Sequence, residues 1–116
     1  MTAQIEIDDF PLLESSVRNG DQPDCPCVLD RYLTLSNARA VNQASTAVQH
    51  NIHMRTYMTL LDTLCDTYVP EHWRALCLDQ IHKPLFAIER LACTQTDKAR
   101  VRQLYNELSI LSHYFL

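Results

Sequence analysis

Apolar residues recur along most of this chain at intervals of three and four, the period of a helix rather than the alternation of a strand. Val41, Ala44, Val48 and Ile52 are followed by Met54, Tyr57, Met58, Leu61, Leu64, Cys65 and Tyr68, with no Gly or Pro among them. The spacing predicts one long central helix over 41–68. Upstream, Leu29, Tyr32 and Leu33 predict a short helix with Pro26 in its first turn, where the missing N–H has no intrahelical role. Ser and Asn within 34–37 are read as interrupting that helix, because their side chains compete for backbone hydrogen bonds.

Downstream, Pro70 opens a further helix whose face is Trp73, Leu76, Cys77 and Ile81. Pro84 is expected to kink or divide it near 82–83, since the ring removes a donor and clashes with the preceding turn. Leu85, Ile88, Leu91 and Ala92 then resume the stripe. Thr94, with Asp97 three residues on, has the spacing of a capping box. A last helix over about 97–114 shows the cleanest apolar face: Val101, Leu104, Tyr105, Leu108, Leu111 and Phe115.

The pattern therefore predicts an all-α fold, an elongated helical hairpin or bundle of four to five helices around one long central helix. A helix over 41–68 would span ~42 Å at 1.5 Å per residue. The radius of gyration of a compact 100-residue domain is only ~13 Å. Such a helix must bend near Asn51 or be covered by something else, and a homodimer is the expected cover.

Charge divides the chain in two. Residues 1–30 hold seven acids and one base, a net −6, whereas 31–116 hold seven acids and nine bases, a net +2. The first 27 residues also contain three of the five prolines and the only glycine, Gly20, beside Asn19. They are read as an acidic N-terminal arm with a short helix over 11–17. The arm is expected to be mobile, with folding on the basic body or on a partner as the alternative. Residues 28–116 form the helical interaction domain.

A single glycine argues against most nucleotide and hairpin architectures. Walker loops, dinucleotide turns, primed β-turns and nucleophile elbows all need Gly where φ is positive or a ligand meets the backbone. No apolar run approaches the 18 residues of a membrane span, and 1–9 lacks the basic and apolar regions of a secretory signal. Five cysteines, an odd number, fall mostly at apolar helical positions and are read as reduced thiols, with a cytoplasmic location expected.

Candidate chemistry is sparse. His50 and His53 share a helix face and could ligate a metal, and Cys25-Pro26-Cys27 could supply two thiolates, although zinc knuckles normally space their cysteines more widely. Asp62 and Asp66 are four apart, a spacing more common on a solvated face than in acid–base catalysis. None of the five glutamates has a histidine three residues on, which removes a di-iron bundle. Lys98, Arg100 and Arg102 make only a small basic patch, so direct nucleic-acid binding is not expected. No constellation supports an enzyme and no cofactor is expected.

What remains is an apolar helical surface. The expected function is a small non-catalytic regulator that binds a protein partner, in the manner of an antiactivator or anti-sigma-like protein sequestering a transcription regulator. The expected contact residues are Met54, Tyr57, Met58, Leu61, Tyr105, Leu108 and Phe115. An adaptor or secretion chaperone is the alternative. A thiol- or zinc-dependent sensor using Cys25, Cys27, His50 and His53 is a third reading.

Overall fold

A computed structural model describes the backbone over 2–116 and the side chains over 10–116. Its described residues form six helices: α1 (Thr2–Asn19), α2 (Pro26–Val41), α3 (Thr46–Leu64), α4 (Glu71–Gln80), α5 (His82–Leu91) and α6 (Gln95–Phe115). Helices α4 and α5 meet at Ile81, which itself keeps helical dihedrals (φ −64, ψ −22), so they are two halves of one broken helix. The break falls three residues before Pro84, where a proline can enter a new first turn without losing a hydrogen bond.

The stripe over 41–68 is not one helix. Helix α2 ends at Val41, Asn42 is its C-cap, and Ser45 caps α3 by accepting from the Val48 N–H. The apolar period runs across the gap, but Val41 and Val48 are exposed and bury little. Helix α3 is therefore 19 residues, ~28 Å long. The length argument for a bend or a second copy loses its premise. The predicted interruption at 34–37 is also absent. Helix α2 runs through it because Ser36 is buried and donates to the Thr56 hydroxyl, which passes its own proton to the Ile52 carbonyl.

The molecule is a slab of 41 × 39 × 15 Å with a radius of gyration of 14.5 Å, not an elongated bundle. Helix α3 lies at its centre, with α1, α2, α4 and α5 packed around it and α6 along one edge. Leu60, Leu64, Trp73, Ile81, Leu85 and Ile88 are fully enclosed. Trp73 also donates its indole N–H to the Val17 carbonyl at 2.9 Å, so the largest core side chain leaves no buried donor unpaired.

From Phe10 onward the acidic segment is built into this core rather than mobile, as in the alternative reading. Its helix continues through Pro11 rather than starting there. Phe10 stacks on Tyr32 and lies under the Arg39 guanidinium, 4.3 Å from the ring centroid. Glu14 accepts from the Tyr32 hydroxyl at 2.7 Å and from two nitrogens of Arg55. Arg18 pairs with Asp66 at 2.9 Å, and Asp24 contacts His72 at 3.0 Å. Parts of the arm assigned to 1–9 lie outside the described side chains.

Gly20 ends α1. Its N–H bonds to the Val17 carbonyl and the Asp21 N–H to the Ser16 carbonyl, a Schellman motif with Gly20 at φ +63. A Cβ there would sit 2.8 Å from Val69 Cγ1 and 3.2 Å from Trp73 Cδ1. Both the dihedral and the close packing of the 65–70 turn require glycine at this position.

Candidate binding site

Helix α6 begins with the capping box foreseen in the sequence. Asp97 N–H donates to Thr94 Oγ1 at 3.0 Å, and the Asp97 carboxylate accepts from the Thr94 and Cys93 N–H groups. Those backbone donors hold the Asp97 carboxyl below its usual range. Of the 21 residues that follow Thr94 in α6, only Val101 and Leu104 are buried. Tyr105 is half-buried and donates to Glu89 at 2.9 Å, and burial followed by that carboxylate pushes its hydroxyl up to about 12.

The carboxy-terminal half of α6 is apolar on more than one side. Leu108, Leu111 and Phe115 lie half-buried on the stripe that continues from Leu104. Ile110 and Tyr114 lie about half a turn away on the outer side, one turn apart, and are 61% and 81% exposed. The end of the helix is held by Arg74, itself buried, which donates from Nη2 to the Phe115 carbonyl at 2.6 Å and from Nε to the Leu64 carbonyl at 3.2 Å. One guanidinium thus binds the terminal carbonyls of α3 and α6, the negative ends of both helix dipoles.

The seven predicted contact residues divide. Tyr57 is fully enclosed and donates to the Leu104 carbonyl at 3.2 Å, and Leu61 is also buried. Tyr57 joins α3 to α6 and Leu61 lies in the core, so both are enclosed within the monomer. Burial pushes the Tyr57 hydroxyl up to about 12. Met58 is exposed, while Met54, Tyr105, Leu108 and Phe115 are half-buried. Ile110, Leu111 and Tyr114 extend this surface. Leu111 was legible on the stripe, but Ile110 and Tyr114 fall off it, and only their own i, i+4 spacing marks them.

A cleft of about 400 Å³ opens where the start of α3, the end of α5 and the start of α6 converge. Its floor is apolar: Ala47, Ile88, Leu91, Ala92 and Val101. Its polar rim includes His50, Asn51, Thr96, Asp97 and Arg100. His53, one turn beyond His50, is buried; desolvation, then the charges of Arg90 and His50, push its imidazole below the ordinary value.

The other candidates do not converge. The α2–α3 hairpin turns over 42–45, so His50 and His53 sit near the turn, whereas Cys25 and Cys27 sit at the opposite end of the 16-residue α2, as its N-cap and in its first turn. No group of three or more metal-ligating side chains occurs among the described residues. Cys27 is exposed, and its contact with the Cys25 thiol raises its pKa instead of activating it. Cys77 is inert in the core, its thiol pushed up to about 12 by burial, and Cys65 is raised by burial and then by Asp62. Asp66 falls in the turn after α3 and is held low by Arg18, so Asp62 and Asp66 are not a carboxylate pair on one helix face. Lys98, Arg100 and Arg102 are exposed on the first turns of α6, and from the N-terminal acidic segment Glu14 pairs with Arg55 and Asp24 with His72 instead.

No described helix is long and apolar enough to cross a membrane. Comparison with family models, with curated proteins and with solved structures finds no match to this chain.

Proposed function

We propose that the protein is a small regulator without catalytic activity, working in the cytoplasm by binding a protein partner through the bare apolar surface of α6. One observation carries the reading: between 105 and 116 α6 presents Ile110 and Tyr114 fully outward and Tyr105, Leu108, Leu111 and Phe115 only half covered. A 116-residue chain has little apolar surface to spare, and an exposed apolar patch usually marks an interaction site. A helix with anchors at i, i+3, i+4 and i+7 suits docking against another helix or into a groove. The concrete form is sequestration: the face covers the dimerisation or DNA-binding surface of a transcription regulator, as an antiactivator or anti-sigma-like protein does.

The test is capture of a stoichiometric partner by the tagged chain from its own cell extract, identified by mass spectrometry. Ile110→Asp combined with Tyr114→Asp should abolish capture while leaving the helical circular-dichroism spectrum intact. Retained capture by that folded variant would remove α6 as the surface. Light scattering separates a heterologous partner from a second copy, since a homodimer doubles the 13.4 kDa mass and the same double variant would return it to monomer.

A further inference from the structure

The cleft at the α3–α5–α6 junction combines an apolar lining with a charged rim. Its volume of about 400 Å³ is within the range of small-molecule sites. Its floor, made by Ile88, Leu91, Ala92 and Val101, offers no hydrogen bond from side chains. Its mouth carries Arg100 and His50. Arg100 makes no hydrogen bond or ion pair among the described residues.

The one acid on the rim, Asp97, is engaged elsewhere than with Arg100. Asp97 turns its carboxylate back onto the Cys93 and Thr94 N–H groups and serves as the cap of its own helix. The first turn of α6 also reaches the cleft at Thr96. The cleft therefore has an apolar interior and, at its rim, an Arg100 guanidinium without an anionic partner among the described residues.

We infer that this cleft binds a small amphipathic anion, a carboxylate on a short aliphatic or aromatic body, with the apolar part on Ile88, Leu91 and Val101 and the carboxylate on Arg100. Charge complementarity selects this occupant over a neutral apolar one. An uncharged ligand would gain nothing from the exposed Arg100 guanidinium, and a fully polar anion would gain nothing from the apolar floor. A guanidinium–carboxylate contact at the mouth supplies the orientation. The inference does not rest on the partner-binding face, which lies on the opposite half of α6.

The test uses the full chain, labelled for two-dimensional amide spectra, with three probes: octanoate, 1-octanol and acetate. Octanoate should shift the amides of Ala47, Leu91, Ala92, Thr96 and Val101 saturably, with a Kd on the order of 10⁻⁴ to 10⁻³ M as befits a ligand of that size. 1-Octanol should bind about tenfold more weakly and acetate not measurably, because each lacks one of the two contacts. Arg100→Gln should weaken octanoate about tenfold without changing 1-octanol. Ala92→Leu, which fills the cleft from a half-buried position, should abolish both, with melting curves confirming that each variant folds. Equal affinity for octanoate and 1-octanol, an unchanged Arg100→Gln variant, or shifts centred on Ile110 and Tyr114 would each overturn the inference. So would loss of partner capture in Ala92→Leu without any saturable octanoate shift, which would make the cleft a seat for a partner's side chain.

Discussion

Helices α3 and α6 are of similar length, 19 and 21 residues, and each carries nine apolar residues, yet they have opposite fates. Helix α3 buries seven side chains, three of them polar: His53, Thr56 and Thr63. Helix α6 buries only Val101 and Leu104. The difference is placement. Enclosed by four other helices, α3 is buried beyond its apolar face, and its polar residues must find partners inside. Thr56 and Thr63 do so by donating to the carbonyls of Ile52 and Thr59, one turn back. Helix α6 lies at an edge with α5 and α3 on one side only, so apolar residues remain for which the monomer has no cover.

The contrast can be broken most severely at its centre. Leu64→Ala, at a fully enclosed α3 position, should cost about 2–5 kcal/mol, measured by urea unfolding, because the surrounding helices cannot collapse into the void. Arg74→Ala comes next, at roughly 1.5–3 kcal/mol, since it removes charge-assisted bonds to two buried carbonyl ends. Its signature is regional: amide exchange should speed up over 112–116, where the Phe115 carbonyl loses its donor.

A smaller effect comes from the polar residue that α3 buries without a hydrogen-bond partner among the described residues, His53. Its folded pKa lies below the 6.5 of the free side chain, so the unfolded chain binds the extra proton first as pH falls. Stability should be full above about pH 6.5 and decline as pH falls below it, read as a lowered Tm. His53→Gln should flatten that window. Asp66 and Asp97, whose folded pKa values are also depressed, lose their contribution only in the carboxylate range below it. The smallest effect belongs to α6: Ile110→Ala should leave unfolding within about 0.5 kcal/mol of wild type. A large loss there would mean that α6 is not bare.

Much of the secondary structure was legible because its signals are local. Pro26 and Pro70 mark helix starts, Thr94 and Asp97 form the expected cap, and Pro84 follows the break at Ile81. The joint over 42–45 was missed because the apolar period of Val41, Ala44, Val48 and Ile52 runs across it. Ser45, a strong N-cap type, was the available signal. The reading of 34–37 as a break took Ser36 to compete for backbone hydrogen bonds. Only its position opposite Thr56 turns it into a buried donor.

The binding surface was half legible. Periodicity identifies Tyr57, Leu61, Leu108 and Phe115 as apolar and helical, but it cannot separate those that face another helix from those that face water. The cleft was not legible at all, since its walls come from three helices and its residues span 46–101.

By itself, the sequence determined that the chain is helical, where most helices begin, and that Gly20 is the one place for a left-handed turn. These depend on dihedral preferences and on hydrogen bonds between near neighbours in the chain. The tertiary structure alone decided that α3 is central and α6 peripheral, that Glu14 and Arg74 tie distant segments together, and that an apolar cleft opens beside Arg100. Those outcomes depend on which surfaces meet, and burial is a property of the packed assembly of helices rather than of any one of them.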